Sequence, residues 1–121
     1  MDNYQLGVQG EEKAIAFLQK EGYHILEKNY TCKIGEIDII ARHGHITAFI
    51  EVKWRKDDKK GRPAEAVNYR KQQKIIKVAM LYARNHGLME TPMRFDIVEI
   101  IGNEITVIKN AFEITGHLKY L

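Results

Sequence analysis

Cysteine occurs once, at Cys32, and proline twice in a chain of 121 residues. One thiol makes no intrachain disulfide and builds no cysteine-based zinc cage. With so little proline, no repeat of fixed period and no low-complexity tract, nothing marks an interdomain linker. No apolar run approaches the roughly 18 residues of a membrane-spanning helix. The opening Met-Asp-Asn-Tyr-Gln-Leu-Gly lacks the basic start and apolar stretch of a secretory signal. A reduced, cytoplasmic setting without a membrane partner is therefore expected. A glycine-rich phosphate loop of the P-loop type is also missing, which disfavours nucleotide hydrolysis. Charge of one sign is scarce in the sum: 19 Lys+Arg against 16 Asp+Glu leave +3.

What is present is enough for one domain over residues 1–121. The chain is 45% hydrophobic and 29% charged, the balance of a folded globular protein. Gly7 to Gly22 reads as a first helix, with Ala14, Ile15, Phe17 and Leu18 as its apolar stripe and acidic residues in its first turn. Tyr23 to Leu26 reads as a short strand, followed by an irregular or extended stretch to Lys33. Glu36 to Ala41 alternates, Arg42 to His45 turns, and Ile46 to Lys53 is β-branched and apolar, which together predict a hairpin. Trp54 to Arg62 is a charged loop. Pro63 suits the first position of a helix running from about Ala64 to His86. Its buried positions are Val67, Ile75, Ile76, Ala79, Tyr82 and Ala83. Arg94 to Ile101, the turn Gly102-Asn103 and Glu104 to Ile108 form a second hairpin, and the tail from Ala111 is a short helix or irregular. The order αβββαββ describes an α/β domain with a mixed sheet and a helix on each side.

Two strands carry carboxylates where strands disfavour them. Asp38 lies between Ile37 and Ile39, and aspartate is among the poorest strand formers. Glu51 and Lys53 flank Val52 and share one face by the two-residue period of a strand. A two- or four-residue turn sets Asp38 across from Phe49 or Glu51, so Asp38, Glu51 and Lys53 point the same way. Two carboxylates so placed repel unless a cation sits between them. Mg²⁺, which takes one or two carboxylates and keeps its waters, suits such a pair. A metal activates water and steadies phosphoryl charge, and a neighbouring ammonium supports the transition state. The same Asp-x(12)-Glu-x-Lys pattern also fits a salt bridge on the wet face of a half-exposed sheet. Glu11, preceded by Gly7 and Gly10, reaches the same metal or merely complements the helix dipole. Asp96 interrupts an apolar strand, which reads as a polar role on the sheet's wet face. His43 and His45 read as solvated turn residues.

Position matters more than total for the charge. Between Lys53 and Lys77 stand ten bases and three acids, a net +7, so the rest of the chain carries −4. Lys53, Arg55, Lys56, Lys59, Lys60 and Arg62 lie in or beside the loop. Arg70, Lys71, Lys74 and Lys77 recur at helical spacing. Such a segment is an electrostatic footprint for a phosphate backbone, or a solvated face. Trp54 and Tyr69 either stack on bases or pack locally.

Taken in order, Gly7-x-x-Gly-Glu11, Gly35-Glu-Ile-Asp38-Ile-Ile, Phe49-Ile-Glu51-Val-Lys53-Trp-Arg55, Pro63-Ala-Glu-Ala-Val67, Arg70-Lys71-Gln72 and Phe95-Asp96-Ile-Val98 resemble the YraN-like family of small bacterial proteins. That family is similar to the PD-(D/E)XK nuclease superfamily and, within it, to archaeal Holliday-junction resolvases. The resemblance implies a restriction-endonuclease-like fold. It implies that Asp38 and Glu51 hold Mg²⁺ or Mn²⁺, that Lys53 serves the attacking water, and that Glu11 approaches the metal from the first helix. Gln72 matches a polar helix position near the site, and a homodimer is implied. Trp54 stands where members usually carry a small or β-branched residue. The resulting expectation is a metal-dependent endonuclease acting on DNA rather than RNA, branched or structured DNA included. The alternative is a nucleic-acid-binding module on a nuclease fold without cleavage.

Overall fold

The computed structural model describes residues 3–57 and 59–114, the side chains of residues 3–6 excepted. The chain runs α1 (Asn3–Lys20), β1 (Tyr23–Thr31), β2 (Glu36–His43), β3 (Ile46–Arg55), a 3-10 turn (Pro63–Ala66), α2 (Tyr69–Asn85), β4 (Met93–Ile101) and β5 (Glu104–Phe112). The five strands form one sheet in sequence order, β1-β2-β3-β4-β5. All neighbours are antiparallel except β3 and β4, which are parallel and joined by the crossover through α2. This is the mixed α/β sheet expected from the order of elements.

Each face of the sheet carries one helix. Alternation along β3 sends Ala48 and Ile50 to one face, where they meet Ala14 and Leu18 of α1 together with Ile39, Val98 and Ile100. It sends Phe49 to the other face, where Ile75, Ile76, Ala79 and Tyr82 of α2 cover it with Phe95 and Ile97. Aromatic rings order this second core: Phe49 stacks on Phe95 at 5.6 Å and meets the edge of Tyr82 at 6.0 Å. Phe49 and Ile50 are almost wholly buried, so adjacent residues of one strand anchor both layers.

Several boundaries differ from the sequence expectation. Helix α1 starts at Asn3 rather than Gly7, so Glu11 lies in its middle and no acidic residue occupies its first turn. A helix-dipole role for Glu11 is thereby removed, because that effect dies away within the first turn. Strand β1 does not stop at Leu26. It continues to Thr31 through a register shift between Ile25 and Glu27 and a left-handed Asn29 (φ 51°). The continuous helix expected from Ala64 is broken in two. Pro63 opens a 3-10 turn, and α2 begins afresh after Asn68, whose side chain accepts the Lys71 N–H at 3.0 Å. At the far end Gly87 is left-handed, and the Leu88 N–H reaches the Ala83 carbonyl at 2.8 Å, closing the helix as a Schellman motif does. Strand β5 extends to Phe112, and residues 115–121 of the expected tail lie outside the described residues.

Asp96 is not on a wet face. It is fully buried and accepts hydrogen bonds from Arg94, from the Tyr23 hydroxyl at 2.9 Å and from the Asn110 N–H at 2.9 Å. Arg94 also donates to His43 Nδ1 at 3.0 Å, and the His43 ring stacks on Tyr23 at 4.1 Å, so His43 is not simply solvated. This network pins β1, β2, β4 and β5 together at one end of the sheet and leaves the other end of β2 and β3 open.

Candidate active site

At that other end the β2–β3 ladder comes apart. The hairpin closes on the two-residue turn Gly44-His45, with His43 opposite Ile46, and the ladder continues to Ile39 opposite Ile50. One further step brings Asp38 level with Glu51. There the alternation slips, since Ile37 and Ile40, three residues apart, both join the core beneath α2. Asp38 instead reaches across to β3, where its Oδ2 accepts the Val52 N–H at 2.8 Å. Aspartate is tolerated here because its side chain supplies the hydrogen bond that the ladder no longer makes.

The splayed end opens into a cleft of about 480 Å³ walled by β2, β3, the middle of α1 and the start of α2. Glu11, Glu36, Asp38, Glu51, Lys53 and Lys71 line it, with Gly7, Gly10, Val52 and Trp54 between them. All four residues expected at a catalytic centre (Glu11, Asp38, Glu51 and Lys53) thus share one cavity. Glu36 and Lys71 are additions. Glu36 was legible as the neighbour of Asp38 by the two-residue period. Lys71 was expected among the nucleic-acid contacts, but the break before α2 places it in the helix's first turn, with Nζ 3.7 Å from Glu51 Oε2.

The electrostatics are those of a crowded charge cluster. Glu51 is only 4% exposed. Burial, and next the charge of Asp38, push its carboxyl up to about 8, while Lys71 and Lys53 pull the other way. Burial and the adjacent Lys71 lower the Lys53 ammonium from its ordinary value. Burial also raises Glu11, with smaller contributions from Asp38 and Glu36, against a hydrogen bond with Asn29. Asn29 was missed in the sequence. It adopts the left-handed backbone that asparagine tolerates better than most residues, in the segment of β1 facing Asp38.

Other expected contacts fall elsewhere. Gln72 does not line the cleft; its side-chain amide donates to the Val67 carbonyl at 2.9 Å and ties α2 to the 3-10 turn. Arg55, Lys56, Lys59 and Lys60 surround a neighbouring cavity together with Trp54. Arg62 pairs with the buried carboxylate of Glu99, which also accepts the Ala64 N–H at 3.0 Å. Glu99, beside Lys53 in the β3–β4 register, therefore fastens the end of the basic loop to the sheet. Arg70, Lys74 and Lys77 are exposed along α2.

The donor set bears on a metal. Among the described residues no three of His, Cys, Asp and Glu stand close enough to form a cage. Asp38 and Glu51 are a pair, the number of carboxylates that a water-rich Mg²⁺ site uses. Burial first, and the charge of Asp38 second, raise Glu51, and a cation between the two carboxylates would offset both.

Known proteins resemble this chain along nearly its whole length. A protein of Caldicellulosiruptor saccharolyticus is 43% identical over 118 residues, covering 93% of this chain and all of that one. One from Alkaliphilus metalliredigens is 49% identical over 110 residues, covering 88% of this chain and 96% of that one. A third, from Thermodesulfovibrio yellowstonii, is 47% identical over 112 residues, or 93% and 99% of the two chains. Each is named a UPF0102 protein. The profile described as "Uncharacterised protein family UPF0102" matches residues 10–100, from the middle of α1 to the end of β4 and so across nearly all of the cleft, and the chain belongs to that family.

Proposed function

We propose that the protein is a metal-dependent endonuclease that hydrolyses phosphodiester bonds of DNA, branched or structured DNA included. One observation carries the reading: a carboxylate pair, half-buried Asp38 and buried Glu51, shares an open cleft with two lysines beside a strongly basic segment. Asp38 and Glu51 would hold Mg²⁺ or Mn²⁺. Bound there, the ion lowers the pKa of a coordinated water and neutralises phosphoryl charge. Lys53, whose ammonium burial and the adjacent Lys71 have made a readier proton donor, orients the attacking water and meets the charge that develops on phosphate. Lys71 holds Glu51 from the opposite wall. Glu11 and Glu36 add acceptors at the rim for waters. Lys56, Lys59, Lys60, Arg70 and Lys74 supply exposed cations to phosphates on either side.

The test is nicking of junction, flap, gapped, duplex and single-stranded DNA with Mg²⁺ or Mn²⁺. Wild type should cut at least one of them, and Asp38→Asn and Lys53→Ala should abolish cutting without loss of fold. A wild type that cuts none of these overturns the reading.

A second reading has an observation of its own. Lys71 already offers Glu51 a positive partner without a metal, which is what a non-cleaving binding module on this fold requires. Such a module would hold DNA equally well in chelator and would be indifferent to Asp38→Asn.

A further inference from the structure

Trp54 follows Lys53 directly in β3 and therefore points to the opposite face of the sheet. Its inner side packs against the core beneath α1, and the rest remains partly exposed. Trp54 borders three adjoining cavities. One is the cleft itself. The second, about 190 Å³, lies between α1 and the β4–β5 turn and is lined by Gln9, Lys13, Lys56 and Asn103. The third, about 320 Å³, lies on the basic loop with Arg55, Lys59 and Lys60. The buried aromatics stack with one another, but among the described residues no ring pairs with Trp54. Neither Lys13 nor Lys56 forms an ion pair with a described residue.

The wall beside Trp54 is unusually bare. Gly7 and Gly10 stand one turn apart inside α1, where glycine is a poorer residue than alanine. Neither has the positive φ that favours glycine. A Cβ on Gly7 would meet nothing within 4 Å. One on Gly10 would make only ordinary contacts, 3.8 Å to Trp54 Cβ and 3.9 Å to Ile100 Cδ1. Packing and backbone thus require glycine at neither position. What the two glycines provide is bare backbone along the cleft that Trp54 also lines.

A partly exposed ring without a ring partner, open volume beside it and flanking cations and amides are the components of a site for a nucleotide. A base inside continuous duplex is already stacked on its neighbours and paired, and does not reach such a ring. We propose that Trp54, Gly7 and Gly10 form a pocket for an unpaired nucleotide, with Lys13 and Lys56 on its phosphates, so that the protein prefers single-stranded over duplex segments. The inference deepens the nuclease reading by naming the substrate class, and rests on that reading for placing the pocket next to the bond that is cut.

Trp54 is the only tryptophan, so its fluorescence reports on the pocket alone. In chelator, a single-stranded oligonucleotide should quench it and bind about tenfold more tightly than the blunt duplex of the same sequence, which lies within the worth of one base–aromatic stack. By anisotropy of a labelled strand, Trp54→Phe should keep that affinity and Trp54→Leu should lose about tenfold. Gly7→Ala and Gly10→Ala should raise the melting temperature while weakening single-strand binding, opposite signs that a purely structural role would not produce. Absence of quenching, equal affinity for strand and duplex, or unchanged binding in both alanine variants overturns the pocket. The two readings fail separately. Flap cutting undiminished by Trp54→Leu removes the pocket and leaves the nuclease. Quenching by single strands in a chain that cuts nothing removes the nuclease and leaves the pocket.

Discussion

Replacing Glu51 by glutamine should stabilise the metal-free protein, by an amount that pH controls. The Glu51 carboxyl is pushed up to about 8 by burial and by Asp38, whereas in the unfolded chain it titrates near 4.5. Between those values the folded protein retains a proton that the unfolded chain has released, so stability falls as pH rises through the window. Below the lower value both states are protonated and the effect vanishes. Each unit of separation is worth about 1.4 kcal/mol, so the cost is about 3 kcal/mol at pH 7 and about 5 kcal/mol well above pH 8. The glutamine variant is close in shape, never ionises and carries no such cost. Against a total stability of about 5–15 kcal/mol this is a large effect.

Urea unfolding in chelator at pH 4.5, 7 and 8.5 measures it. The two proteins should agree at the lowest pH and diverge steadily above it, the variant being the more stable. Adding Mg²⁺ at pH 8 should then raise the wild type and leave the variant unmoved, because a cation takes the place the proton held. Parallel stability curves with no divergence would refute the argument that Glu51 is buried against Asp38 at a cost. Divergence without a Mg²⁺ response would retain the burial and refute the metal.

Three further outcomes follow from other parts of the molecule. Asp96→Ala should cost about 3–5 kcal/mol in urea unfolding, because it leaves the Arg94 guanidinium without a carboxylate and the Tyr23 hydroxyl and Asn110 N–H without their acceptor. Asn68→Ala should cost about 1 kcal/mol in the same assay by removing the cap on the Lys71 N–H. Lys59→Ala and Lys60→Ala should each lower the slope of log affinity for DNA against log salt by about one, with little change in melting temperature, if these exposed side chains meet phosphate.

The strands that cross the core were legible because burial on both faces leaves β-branched and apolar runs in β2, β3 and β4. The edges were not. In β1 the extra residue near Leu26 and the left-handed Asn29 each shift the alternation, so a nine-residue strand reads as a short one with a loose end. Glycine misled in the other direction. Glycine usually marks a helix boundary, which would put Glu11 in a first turn, whereas Gly7 lies inside α1 and Glu11 near its middle.

Among the candidate residues, Asp38, Glu51 and Lys53 could be assembled from strand period and turn length, both local quantities. The partners of buried charge could not. Asp96 is paired with Tyr23 at a separation of 73 residues and Glu99 with Arg62 at 37, and no spacing rule connects them. Lys71 lies between these cases. Its residue type announced a phosphate contact, but its place beside Glu51 depends on where α2 begins. Pro63 fits the start of a 3-10 turn as well as that of an α-helix, and the break is held by distant partners, Glu99 on the Ala64 N–H and Gln72 on the Val67 carbonyl, as well as by the Asn68 cap. Had the helix run unbroken from Ala64, Lys71 would have been in its third turn. The place of Lys71 in the cleft therefore depends on Asn68, Gln72 and Glu99, which the sequence-local pattern does not connect with it.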